Sequence, residues 1–344
     1  MPVVWSDQCR LHDPQAEIFV GVPTPATEVA ARADAILETL RQAGAQAVEP
    51  EPHPDAALHA VHDADLLAYL KSAWETWSAA GLPRDPGQDR VVPYVFVHSG
   101  PGAEPRRPAA VWALPGYFAY DTMTLIGPGT WEAARAAADS ALSAVEHVLD
   151  GAPAAYALCR PPGHHVSRSR YGGSCYLNNA AIAAGELARR IDGRVAVIDI
   201  DAHHGNGTQE IFWERDDVLV GSVHVDPGAG WFPHFVGFAE ESNGANRNLP
   251  LAPGTADDLW LEAVHELADW VTGVAALVVA LGVDAAARDP ESPLEVSAAG
   301  YREAGRVLGA LGLPTVVVQE GGYDLESIGA LVLETLVGLE EGRP

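Results

Sequence analysis

Cysteine is scarce in this chain. Its 344 residues include three, Cys9, Cys159 and Cys175, an odd set without a C-x-x-C pair, which excludes a disulfide framework. Basic side chains are also few: 21 Lys and Arg stand against 47 Asp and Glu, for a formal net charge of −26. With no basic stripe to displace counterions, a nucleic-acid backbone is not the expected partner. No apolar run is long enough to span a bilayer, so no membrane association is expected. The opening MPVVWSDQCR lacks the basic start and apolar core of a secretory signal, and a cytoplasmic location is the expectation. Internal repeats and linkers are absent as well, so residues 1–344 read as a single domain.

What is present is 48% hydrophobic and 20% charged, enough to bury a sizeable core. The acidic excess should attract cationic solutes. Charge alone does not separate a small polyamine from a basic protein tail.

Short β-rich runs alternate with longer helical stretches, predicting an α/β fold with a parallel sheet covered on both faces. Expected strands are Val3–Trp5, Ala155–Cys159, Val195–Ile200, Val218–Val225, Ala276–Leu281 and Thr315–Gln319. Expected helices are Glu28–Arg41, Trp131–Leu149, Ala180–Arg190, Ala256–Val271, Ala298–Leu311 and Leu325–Glu340. Residues 81–110 differ, being rich in Pro, Gly and Arg around an apolar VVPYVFV. A loop of this length in a compact domain is usually functional or makes an interface.

Four strands end in chemistry: RPPGHH (160–165), DAHH (201–204), GVD (282–284) and EGGY (320–323). Ligands of open parallel sheets bind outside the carboxyl ends of the strands, so these segments should form one site. Asp201 and His203, two apart, share a face of an extended end. An oxygen and a nitrogen donor side by side suit zinc, which needs a third protein ligand, and Asp284 is the candidate. Two carboxylates make the site hard enough for Fe(II) or Co(II). Asp199 would be one anion too many and is expected to orient a histidine instead. The tandem His164–His165 suits water activation and protonation of a leaving amine. Tyr323, on a Gly-Gly turn, can donate to an oxyanion.

Together these motifs resemble the arginase/deacetylase superfamily, in particular the histone-deacetylase-like zinc amidohydrolases. GPGTWEAA (127–134), GGSCYLNNAA (172–181) and FPHFVGFAEE (232–241) resemble bacterial acetylpolyamine amidohydrolases. The resemblance implies a three-layer fold around an eight-stranded parallel sheet, and zinc held by Asp201, His203 and Asp284. It implies His165 as general base and acid, with Asn206 as its partner where many relatives carry Asp, and His164 bonded to Asp199. It also implies potassium held by Asp199 and Ser222 with the carbonyls of Asp201, His203 and Val223. Phe232 would wall the substrate channel, with Gly173 and Ser174 opposite, Ser174 standing where relatives place Phe or Tyr.

For the amine end, Trp112 and Met123 replace the acids expected of the bacterial enzymes, Trp112 being expected to bind the substrate through a cation–π contact, whereas Glu291 sits at the rim, where a eukaryotic polyamine deacetylase of the family has Glu. The 81–110 loop would pair two subunits. The substrate implied is a small cationic acetylated amine, most directly an acetylpolyamine. The alternatives are an acetyl-lysine protein deacetylase, a deacetylase of specialised metabolism, and a non-catalytic descendant, which the intact Tyr and tandem His argue against. Of the other histidines, His204 should point away from the metal and His224 and His234 should be structural near the cleft. His53, His59, His62, His98 and His147 are expected at the surface or in ordinary helices.

Overall fold

Runs of β-branched and small apolar residues form the strands Val3–Val4 (β1), Ala16–Phe19 (β2), Val22–Pro25 (β3), Ala47–Val48 (β4), Ala154–Ala157 (β5), Val195–Asp199 (β6), Val218–Val225 (β7), Asn246–Leu251 (β8), Ala276–Leu281 (β9) and Thr315–Gln319 (β10). The computed structural model describes residues 1–81, 90–98 and 105–344. Eight strands join in the order β4-β1-β5-β10-β9-β6-β7-β8, and every pairing is parallel. Strands β5, β6, β9 and β10 are buried along their whole length, as the strands of a sheet covered on both faces must be. β2 and β3 form a separate antiparallel hairpin. Its turn, Val20-Gly21, has positive φ at both residues, the backbone a two-residue hairpin favours.

The expected strands and helices appear with ends shifted by a few residues. The sequence reading missed β4, β8, the β2–β3 hairpin, the helix Ala64–Ala79 and the short helices Ala56–His59, Pro115–Phe118 and Asn206–Phe212. β8 reads NRNLPL, and its polar residues and proline are tolerable because it is the edge of the sheet. Helices Ala298–Gly309 and Ile328–Gly342 cross closely. A Cβ on Gly305 would sit 2.2 Å from the Thr335 carbonyl oxygen, and one on Gly338 2.0 Å from that of Arg302.

Within 81–110, residues 82–89 and 99–104 lie outside the described residues. The remainder is anchored by a Val91–Ile126 bridge and by the Val97 amide donating to the Gly116 carbonyl, while Tyr94, Val95 and Phe96 are exposed.

Candidate active site

In the sheet order, β5, β10, β9 and β6 are consecutive. The four segments singled out above therefore leave adjacent strand ends and meet. Asp201, His203 and Asp284 are buried and offer one ligand atom each within 4.8 Å of one another. His203 Nδ1 lies 3.3 Å from Asp201 Oδ1 and 3.1 Å from Asp284 Oδ2. Tetrahedral donors at zinc distances stand roughly 3.3 Å apart, so the two separations from His203 match what a divalent ion requires. Glycine lets the chain close around it: a Cβ on Gly282 would sit 2.0 Å from Asp201 Oδ2, and one on Gly321 2.3 Å from Asp284 Oδ2. The carboxylates are also held by backbone amides, Gly321 N to Asp201 Oδ2 at 2.7 Å and Ala202 N to Asp284 Oδ1 at 2.8 Å. Burial and the neighbouring Asp201 push the Asp284 carboxyl up to about 7. Two carboxylates in so little water need a positive charge between them.

The tandem histidines form two different pairs. His164 Nδ1 is 2.9 Å from Asp199 Oδ2, and His165 Nδ1 is 2.7 Å from Asn206 Oδ1. Burial opposes protonation of His164, but Asp199 and Asp201 outweigh it and raise its pKa to about 10. His165 goes the other way, well below the ordinary range, through burial and the positive charge of the neighbouring His164. The two neighbours are thus pushed in opposite directions, His164 toward its charged form and His165 toward a neutral form able to accept a proton. With Asn206 Oδ1 accepting from Nδ1–H, the Nε2 lone pair of His165 is left for chemistry. Glu320 braces the turn, accepting from the amides of Gly163 at 2.6 Å and His164 at 3.1 Å.

Tyr323 lines the same cleft as His165 and His203. Burial raises its pKa well above 10 despite Arg32, so the phenol keeps its proton and can donate. Its amide donates to Asp289 Oδ2 at 2.6 Å, and the Arg32 guanidinium lies 4.6 Å from its ring centroid.

Phe232 and Gly173 flank the cleft. The Phe232 ring stands edge-on to His165 at 4.8 Å, and a Cβ on Gly173 (φ +59°) would meet the His165 ring at 2.3 Å. Ser174, Met123 and Thr27 complete the walls, and Glu291 and Glu17 are the cleft's acids. The expectation that Trp112 binds the substrate is corrected: it is 49% exposed on the helix turn Val111–Ala113 and is not among the cleft's lining residues, whereas Met123 is. Glu17 escaped the sequence reading because the β2–β3 hairpin that carries it was not anticipated. It is 6% exposed, and burial, with Glu291 adding, pushes its carboxyl up to about 7. Arg32 and Glu28 were missed because they reach the site from a distant part of the chain, whereas Asp289, five residues after Asp284, was missed because its partners are the Tyr323 and Asp324 amides of another strand end.

Asp199 and Ser222 are register partners on β6 and β7, next to Val223 and within reach of the loop carrying Asp201 and His203. The Ser222 hydroxyl is 2.8 Å from His224 Nδ1. His204 turns away from the trio, its Nε2 3.1 Å from Gln209 Oε1, and His234 is exposed. The surface assignment of His62 is corrected. It is 1% exposed, its Nδ1 3.0 Å from the Ser167 carbonyl while its Nε2 accepts from the Asn178 amide, so it buttresses the tandem-histidine loop.

The sequence profile of the histone deacetylase domain matches residues 26–339. The chain belongs to the histone deacetylase family. Acetylpolyamine amidohydrolase 1 of Pseudomonas aeruginosa is 40% identical over 98% of both chains. Acetylpolyamine amidohydrolase of Mycoplana ramosa is 38% identical over 98% of this chain and 99% of its own. The crystal structure of acetylpolyamine aminohydrolase from Burkholderia pseudomallei superposes with a TM-score of 0.94 at 39% identity, covering 100% of each chain. The fold is accordingly that of the arginase/deacetylase superfamily, the chain is a hydrolase of linear amides, and membership implies a divalent metal. Among the described residues, no helix is long and apolar enough to cross a membrane.

Proposed function

We propose that the chain is a zinc-dependent deacetylase of a small cationic acetylated amine, most directly an acetylpolyamine. The observation that carries the substrate class is the pair Glu17 and Glu291 in a cleft that also reaches His165, His203 and Tyr323. A carboxylate about 5 Å from an ammonium, at an effective dielectric near 20, contributes roughly 3 kcal/mol before desolvation. The names of the full-length relatives point the same way.

Asp201, His203 and Asp284 would hold zinc, though the donors also suit Fe(II) or Co(II), and the ion would polarise the amide carbonyl and acidify a water. His165 Nε2 takes the proton of the attacking water and returns it to the leaving amine nitrogen. The Tyr323 hydroxyl donates to the carbonyl oxygen as negative charge develops there. His164, kept charged by Asp199, adds positive potential on the same side, and Phe232 and Gly173 confine the acyl end of the substrate. Asp199 and Ser222, with the carbonyls of Asp201, His203 and Val223, would hold potassium behind the site. We read residues 1–344 as one catalytic domain that pairs with a second copy through 81–110, where exposed Tyr94 and Phe96 supply an apolar contact.

Metal analysis of the purified chain tests the site. Stoichiometric zinc, iron or cobalt is expected, to be lost together with activity in Asp201→Ala, His203→Ala and Asp284→Ala. A fully active chain without such an ion overturns the reading.

A further inference from the structure

Glu28 stands outside the roles given so far. It is 1% exposed and faces two guanidinium groups: Oε1 accepts from Arg32 Nη1 at 2.9 Å and lies 2.9 Å from Arg160 Nε. Burial works against its ionisation, but Arg160 and Arg32 hold the carboxyl below the usual range. His12, whose Nε2 is 3.6 Å from Oε2, is kept neutral by burial. Glu28 is thus the anion that compensates two buried cations, an arrangement costly to leave half-made.

The two arginines lead to the two turns that carry Tyr323 and the tandem histidines. Arg32 donates through Nε to the Gly322 carbonyl at 2.5 Å and through Nη2 to the Glu320 carbonyl at 2.6 Å, while its guanidinium lies against the Tyr323 ring. It grips the chain on the N-terminal side of Tyr323. Arg160 opens the turn that ends in His164 and His165, and is fixed at its far end by Nη1 donating to the Cys9 carbonyl at 2.8 Å. Glu320 joins the two sides again, since its carboxylate caps the histidine turn while Arg32 holds its carbonyl.

We propose that Glu28 is a positioning residue for the hydrolysis, setting the place of the Tyr323 hydroxyl relative to the tandem histidines through Arg32 and Arg160. It touches neither substrate nor metal. Its effect should fall on turnover, because a displacement of about 1 Å at a distance from the reacting atoms can lower a rate on the order of 100-fold. Substrate binding, which depends on the cleft acids and walls, should be spared.

The test is a double-mutant cycle on the full chain, run with an N-acetylated diamine and, in parallel, an acetyl-lysine peptide, so that the choice of amine does not decide the outcome. Glu28→Gln should lower kcat roughly 10- to 100-fold with little change in KM. In a Tyr323→Phe background the same substitution should cost less than about threefold, because the group it positions is already gone. Equal losses in both backgrounds, or an unchanged kcat, overturn the proposal while leaving the deacetylase reading intact. If Tyr323→Phe alone is as fast as wild type, the oxyanion role fails and this inference fails with it. Should Glu28→Gln show no cooperative melt, Arg32→Lys takes its place, keeping a cation beside Glu28 but releasing one carbonyl. Its kcat loss must also shrink in the Tyr323→Phe background.

Discussion

Single side chains here are tuned by what surrounds them. His164 and His165 are adjacent in sequence, yet the carboxylate partner of one and the amide partner of the other separate their proton affinities. Tyr323→Phe should lower kcat roughly 10²- to 10³-fold, the usual loss for one oxyanion donor, with a much smaller change in KM. Steady-state kinetics would show this, and an unchanged kcat would remove Tyr323 from the chemistry. Glu17 gives a pH signature. Its carboxyl sits near 7 in the free enzyme and must be ionised to hold an ammonium. The kcat/KM for a cationic amine should therefore rise as pH increases through about 7, and Glu17→Gln should make that rise shallower, leaving the part that a metal-bound water would supply. His165 does not supply the same limb, because its affinity is pushed well below the ordinary range. A wild-type profile flat between pH 6 and 8 would contradict the role of Glu17.

At the scale of elements, legibility followed burial. Strands β6, β9 and β10 could be read from the sequence because two-sided burial makes them continuous apolar runs. β8 could not, since an edge strand accepts Asn, Arg and Pro. The helix Ala64–Ala79 carried a usable signal, with Leu66, Leu67, Leu70, Ala73 and Trp77 buried at helical spacing. The metal trio and tandem histidines were legible because each lies in a short local motif at a strand end. Glu17 and Arg32 were not, because only the tertiary fold brings Glu17 to the cleft and Arg32 to the turn before Tyr323. Packing elements this closely has testable consequences. Gly338→Ala, which drives a methyl toward the Arg302 carbonyl, should cost about 1–3 kcal/mol, and a thermal melt matching wild type would contradict the close crossing. His62 and His224 are buried with pKa values lowered to about 4. In the unfolded chain they titrate near 6.5, so it binds more protons between about pH 4 and 6.5, and stability should fall as pH drops through that window. His62→Asn should flatten the slope of melting temperature against pH there, and an unaltered slope would show that His62 is not one of its sources.

The molecule as a whole is an acidic body with one basin of converging strand ends. Its net charge of −26 draws cations toward the surface without selecting among them. On the proposed reading selection falls to Glu17 and Glu291, so attraction and recognition are separable by salt: the long-range part should weaken with ionic strength while the preference between substrates persists. Pairing through 81–110 predicts a dimer in sedimentation at micromolar concentration, and a clean monomer would contradict it. The most direct test of the central claim is the ratio of kcat/KM for an N-acetylated polyamine to that for an acetyl-lysine peptide, measured in wild type and in Glu291→Leu and Glu17→Gln. A loss of roughly 3 kcal/mol is about a hundredfold. The account predicts a wild-type ratio well above one that collapses toward one, or reverses, in the variants while the metal is retained. A wild type that prefers the peptide, or variants that keep the wild-type ratio, would contradict it.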